Sequence, residues 1–145
     1  MLEETFNLER FVTAQERVFS QVMVELSAGR KHSHWIWFIF PQMKGLGSSS
    51  QANHFGIGSL AEAMAYLRHP VLGPRLGQCA RLVTLVEGRT IREIFGSPDD
   101  LKFRSSMTLF ARAAEEAGEE ATDFKDALAK YFNGEADPLT EEMLR

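Results

Sequence analysis

The sequence predicts a mainly α, single multihelical domain over residues 1–145, with at most a short extended segment at its aromatic run. Three observations predict it. Apolar residues recur at helical spacing in several stretches. Capping patterns and prolines at helix-start positions punctuate the chain. No stretch alternates apolar and polar residues as a half-buried strand does. A length of 145 residues, 44% hydrophobic and 25% charged, suits one ordinary globular domain that needs no staples.

The first helix is expected over residues 8–28. Leu8, Phe11, Val12, Val18, Phe19, Val22, Met23 and Leu26 fall on one stripe, Asn7 offers a cap and Gly29 a stop. The aromatic run His34-Trp35-Ile36-Trp37-Phe38-Ile39-Phe40-Pro41-Gln42 follows a short basic approach, Arg30-Lys31-His32-Ser33. Period cannot decide whether the run is a buried strand or a helical turn and a half, and Pro41 ends it either way. Residues 43–58, rich in glycine and serine, are expected as a loop. Ser59-Leu60-Ala61-Glu62 has the capping-box spacing and opens a helix to about Arg68, before Pro70. Pro74 is placed to begin the next helix, which Gly88 closes. Thr90-Ile91-Arg92-Glu93 is a second capping box, opening a turn that ends at Gly96. Ser97-Pro98-Asp99-Asp100 combines a cap, a proline and acids in the first turn of a helix to about Ala117. A long helix is expected from Thr122 to Gly134, and a short tail after Asp137-Pro138.

The aromatic run holds both tryptophans and must be buried, being far shorter than the roughly twenty apolar residues that span a bilayer. No membrane partner is expected. Aromatic surface beside polar residues also lines small-molecule pockets, so the run reads either as core or as a ligand site. Ile36, Phe38 and at least one of Trp35 and Trp37 should be buried. The net charge of −4 disfavours a surface devoted to nucleic acid, which enters only as a modified substrate. A single cysteine, Cys79, excludes an internal disulfide, and in its apolar helix it reads as core. The acidic start Met1-Leu2-Glu3-Glu4 lacks the pattern of a signal peptide, giving a cytoplasmic expectation.

Glu62 is a candidate acid, base or stabiliser of positive charge; its bland alternative is a bond back to the Ser59 amide. Asp99 and Lys102 share a helix face three residues apart. They read as a pocket carboxylate beside a phosphate-binding cation, or as an acid suited to a helix start plus a solvated lysine. Ser105, Ser106 and Thr108 carry hydroxyls further along that helix. His32 and His34 form an H-x-H pair, but His54 and His69 have no partner at metal-motif spacing, so neither a metal nor a cofactor is expected.

The blocks Leu8-Glu9-Arg10-Phe11, Gly29-Arg30-Lys31, the run from His34 to Gln42, Gly45-Leu46-Gly47-Ser48, Glu62-Ala63 with Tyr66-Leu67, His69-Pro70-Val71-Leu72-Gly73 and Ser105-Ser106-Met107-Thr108-Leu109-Phe110 carry a resemblance. They resemble a bacterial family of unknown function that has been labelled "calpastatin", distantly grouped with the YbiA-like or NADAR superfamily. The resemblance covers about residues 5–143 and implies a multihelical fold. It also implies an N-glycosidase-type hydrolase acting on an ADP-ribose-like or ribosyl-phosphate compound. By the same resemblance Glu62 and Asp99 are candidate catalytic residues. Trp35 and Trp37 would stack on a base, Lys31 and Lys102 would offset phosphate, and His34 and Gln42 would orient the ligand, with Ser106 beside them. The superfamily's lysine two turns after the glutamate is replaced here by Arg68 and His69. Phe55 stands where a tyrosine is more usual. The rival expectation is a module that binds the same nucleotide-like ligand without turnover. Convergence of Glu62 with at least two of Lys31, His34, Asp99 and Lys102 beside an indole would favour a shared site.

Overall fold

The computed structural model describes residues 6–145. Among them are ten helices: α1 Glu9–Glu16, α2 Phe19–Ser27, α3 Ile36–Ile39, α4 Ser50–Phe55, α5 Leu60–Arg68, α6 Leu72–Leu85, α7 Ile91–Phe95, α8 Asp99–Glu116, α9 Thr122–Phe132 and α10 Pro138–Met143. The protein is mainly α, and the one β contact in this span is an isolated parallel bridge between Met43 and Ile57. No helix among the described residues is long and apolar enough to cross a membrane.

Several boundaries differ from expectation. The stretch 8–28 is two helices, not one. The chain breaks at Arg17 and Val18, where Val18 leaves helical geometry at φ −126°. Neither glycine nor proline marks the break, so spacing alone could not reveal it. Asn7 gives no side-chain cap; Leu8 holds that position. Gly29 does end α2, at φ +79°, a conformation that a Cβ disfavours. The aromatic run resolves into α3, a single helical turn.

The presumed loop 43–58 contains α4, whose N-cap Ser49 accepts a hydrogen bond from the Ala52 amide at 3.1 Å. The bridge closes this excursion: the Ile57 amide donates to the Gln42 carbonyl and the Lys44 amide to the Ile57 carbonyl. The two chain segments meet so closely at Gly56 that a Cβ there would lie 2.6 Å from the Lys44 Cβ. Helix α6 starts at Leu72, ahead of Pro74, because the His69 imidazole accepts from the Val71 and Leu72 amides. The Thr90–Glu93 capping box forms in full. Ser97 caps nothing: α8 begins at Asp99 with Pro98 before it and no side-chain cap. Asp137 caps α10 by accepting from the Thr140 amide.

Helix α8 is the central element. It is buried from Phe103 to Ala114 apart from Arg104 and Arg112 and packs against α5, α7, α9 and α10. One continuous core surrounds it. At one end Phe40, Phe95 and Phe103 pack ring to ring at 4.8–5.8 Å, with Trp35 against Phe40 and Phe95. At the other, Phe11 meets Tyr66 edge to face at 5.1 Å, and Tyr66 meets Phe110. Such pairs add about 0.5–1.5 kcal/mol each beyond area burial. Trp35, Ile36 and Phe38 are buried as expected, whereas Trp37 stays partly exposed.

Candidate functional site

The approach to the aromatic run is built on Glu25, a residue the sequence reading passed over. It lies on the buried stripe of α2 between Val22 and Leu26, only 2% exposed. Without a salt bridge among the described residues, its carboxylate accepts from the His32 and Ser33 amides at 2.9 and 3.1 Å and from the Ser33 hydroxyl at 2.6 Å. It also accepts from Trp35 Nε1 at 2.9 Å and Gln21 Nε2 at 3.0 Å. Burial alone would push this carboxyl up, but the bonds from Ser33, His32 and Gln21 outweigh it and hold the group well below the usual range. An acid three residues after Val22 and one before Leu26, inside an apolar stripe, was the available signal.

The segment held by Glu25 carries Lys31. Its side chain is almost fully buried, and Nζ donates to the Ser33 carbonyl at 2.6 Å and to Asp99 Oδ2 at 2.8 Å. The same ammonium stands 5.0 Å from the Trp35 ring, and the Lys31 amide donates to the Ile94 carbonyl. Asp99, at the start of α8, faces a second cation: Lys102 Nζ lies 3.8 Å from its Oδ1 and 5.3 Å over the Trp37 ring. Lysines from two segments and one aspartate thus meet two indoles, leaving one positive charge in excess.

Two buried polar atoms among the described residues have no hydrogen-bond partner, Trp37 Nε1 and Ser106 Oγ. They belong to α3 and α8, which pack together. Ser106 lies four residues after Lys102, so both project from one face of α8. Leaving such a group unpaired costs about 1–3 kcal/mol.

Glu62 does not join this cluster. Its Oε2 meets Arg10 Nη2 at 2.9 Å and its Oε1 accepts from the Gly58 amide at 2.8 Å, while the Ser59 hydroxyl caps the Glu62 amide. The side chain reaches the residue before Ser59, so the capping box is only half made. Arg10 spends its remaining donors on the carbonyls of His54, Gly56, Phe6 and Asn7 at 2.7–3.0 Å. All five guanidinium N–H groups are engaged. The pair fastens the 43–58 excursion to α1 and α5. Beside it is an open cleft of about 470 Å³ whose lining includes Lys44, Asn53 and His54 but none of Lys31, His34, Asp99 or Lys102. The expected convergence of Glu62 with those residues is not formed.

Of the other candidates, His34 is exposed. Gln42 belongs to the closure of the excursion, its amide nitrogen against Gly47. The structure therefore gathers Lys31, Trp35, Trp37, Asp99 and Lys102 and places Ser106 on the face of α8 that carries Lys102, while among the described residues His34, Gln42 and Glu62 make no hydrogen bond or ion pair to that cluster. His32 is exposed too, and the described residues hold no cluster of three or more metal-ligand side chains. Cys79 is buried, and burial pushes its thiol up to about 12, which leaves little thiolate at neutral pH. A cavity of about 340 Å³ lies between α8, α9 and α10; of the charges that line it, Arg112, Glu115, Lys125 and Glu141, Lys125 and Glu115 pair with each other.

The protein is similar throughout to one solved structure, the conserved hypothetical protein Rv1873 from Mycobacterium tuberculosis. The two share 55% identity over 97% of this chain and 98% of that one, with a TM-score of 0.93. No curated protein matches the chain. The family model that matches residues 5–144 is described as a protein of unknown function, DUF1810. This corrects the wider grouping expected from sequence. Nothing in the match links the chain to the YbiA-like or NADAR superfamily or to a calpastatin-labelled family. The residue that carried the comparison with that superfamily, Glu62, is occupied in holding Arg10 and Gly58. On a match that spans almost its whole length, the chain belongs to the DUF1810 family of unknown function.

Proposed function

We propose that the protein is a binding module for a nucleotide-like small molecule, held where α3 meets the start of α8. The observation that carries this reading is the state of Lys102. Asp99 gives its close contact, 2.8 Å, to Lys31, and Lys102 stands off at 3.8 Å with its ammonium over the Trp37 ring. An ammonium has three donors, and those of Lys102 make no hydrogen bond among the described residues. It offers a cation for an anionic group beside the partly exposed indole of Trp37. Calorimetric titration with AMP, ADP-ribose and NAD tests it. Binding that Lys102→Ala weakens at least tenfold, and that falls with salt, is the expected result. No binding, or binding indifferent to Lys102→Ala, overturns it.

The second reading is the N-glycosidase-type hydrolase acting on an ADP-ribose-like or ribosyl-phosphate compound. The partly exposed carboxylate of Asp99, able to stabilise an oxocarbenium-like state, favours it. Sugar hydrolysis ordinarily employs two carboxylates, and Glu62 is engaged elsewhere, so binding without turnover is the better-supported reading. Release of free base from ADP-ribose or NAD, abolished by Asp99→Asn with binding retained, would reverse that order.

A further inference from the structure

Selection of a ring at this site would fall to its two orphaned polar atoms, Trp37 Nε1 and Ser106 Oγ. Ser106 is fully buried, and among the described residues both its hydroxyl and Trp37 Nε1 lack partners. An indole N–H only donates, so it needs an acceptor, and a serine hydroxyl can donate beside it. The carboxylate of this site, Asp99, is already engaged by Lys31 and Lys102. Both orphans sit beside established contacts between α3 and α8. Lys102 lies over the Trp37 ring, and Phe103 packs on Phe40 with centroids 4.9 Å apart. Ser106 is one turn beyond these two residues. Trp37 and Lys102 are partly exposed, whereas the two orphaned atoms themselves are buried.

We infer that Trp37 Nε1 and Ser106 Oγ are the ring-reading donors of this site, both directed at an in-plane acceptor of a heteroaromatic ligand whose anionic arm reaches Lys102. The ligand class is therefore a heteroaromatic phosphate or similar anion with a ring nitrogen or carbonyl acceptor, not an aromatic anion in general. This rests on the binding reading above. A ligand reaches the donors when the Lys102 side chain lifts from the indole, and it supplies the acceptor that the protein withholds. An apolar side chain at position 106 would avoid the unpaired hydroxyl but could not read a ring.

The test compares AMP and UMP, whose rings carry acceptors, with phenyl phosphate, whose ring carries none. The wild-type protein should bind AMP or UMP at least tenfold more tightly than phenyl phosphate. Trp37→Phe keeps an aromatic face but loses the donor; Ser106→Ala removes the hydroxyl at little cost in shape. Either variant should reduce the preference to threefold or less while leaving phenyl phosphate binding within twofold. Thermal melting separates a merely structural role, which moves the midpoint of Ser106→Ala but not the ligand preference. Equal wild-type affinity for all three probes, or a preference unchanged in either variant, overturns the inference and leaves the binding reading standing if Lys102→Ala still weakens all three. Failure of every probe to bind overturns both.

Discussion

Glu62 and Asp99 are both carboxylates in the first turn of a helix, and both face a cation brought from a distant part of the chain. What separates them is saturation. At Glu62 each oxygen has a close donor, and the arginine opposite has exhausted its donors on four carbonyls and the carboxylate. Such a node has nothing left to offer a ligand without being dismantled. At Asp99 one lysine is held closely and the other stands off over an indole, with two unpaired polar atoms on the adjoining helices. That node carries unused hydrogen-bonding capacity. Buried polar groups are ordinarily satisfied, so the exceptions are where a functional explanation is owed.

The comparison breaks most visibly at Arg10. Arg10→Ala strands Glu62 and four carbonyls and should lower unfolding free energy by about 4 kcal/mol, read by denaturant titration. It should leave AMP binding within twofold wherever the protein remains folded. A loss below about 1 kcal/mol would mean that the node is dispensable and that Glu62 needs another explanation.

Glu25 comes next. Glu25→Ala removes one carboxylate that serves five donors, and about 3 kcal/mol of stability should go with it. The wild-type protein should also be acid-sensitive through this residue. Its folded carboxyl titrates below the usual value of 4.5, so the unfolded chain binds more protons as acid is added. The stabilisation is therefore complete above about pH 5 and is lost progressively as pH falls below 4.5 toward the folded value. Measured between pH 3 and 6, Glu25→Gln should show a shallower fall in stability than wild type; parallel curves would refute the assignment.

Asp99→Asn is the milder change on the site side. Lys31 is almost fully buried and would lose its carboxylate, keeping the Ser33 carbonyl. A loss of about 1–2 kcal/mol is expected by chemical denaturation, well short of the Arg10 effect. The smallest stability effect belongs to Lys102→Ala, within about 0.5 kcal/mol, because its contact with Asp99 is long and part-exposed. Small stability effect combined with a large binding effect at Lys102, and the reverse at Arg10, is the pattern that would make the contrast between the two nodes quantitative.

The helices were legible where their signals are local. The Thr90–Glu93 box, the Ser59 cap and the Asp137 start all depend on residues within one turn of each other, and they form at the expected places. Where a boundary depends on a side chain outside that window, the reading slipped. His69 starts α6 from outside the helix, and α4 needed the closure at Gly56 to make a glycine-serine stretch compact. At the break near Val18 the chain turns from α1, which packs on α3, to α2, which packs on α6, and no local residue announces it.

By itself, then, the sequence determined a mainly α domain, a buried aromatic run, and a short roster of residues able to carry chemistry, because apolar periodicity and capping act over three or four residues. Only the tertiary structure decided which members of that roster meet. Lys31 and the two indoles meet Asp99 and Lys102 across more than sixty residues of chain because Glu25 fixes the approach segment and the phenylalanine core seats α3 on α8. Glu62 went to Arg10 instead, across a separation of 52 residues. An acid early in a helix looks the same in sequence whether its partner is saturated or spare; the number of donors that long-range packing brings within 3 Å makes the difference.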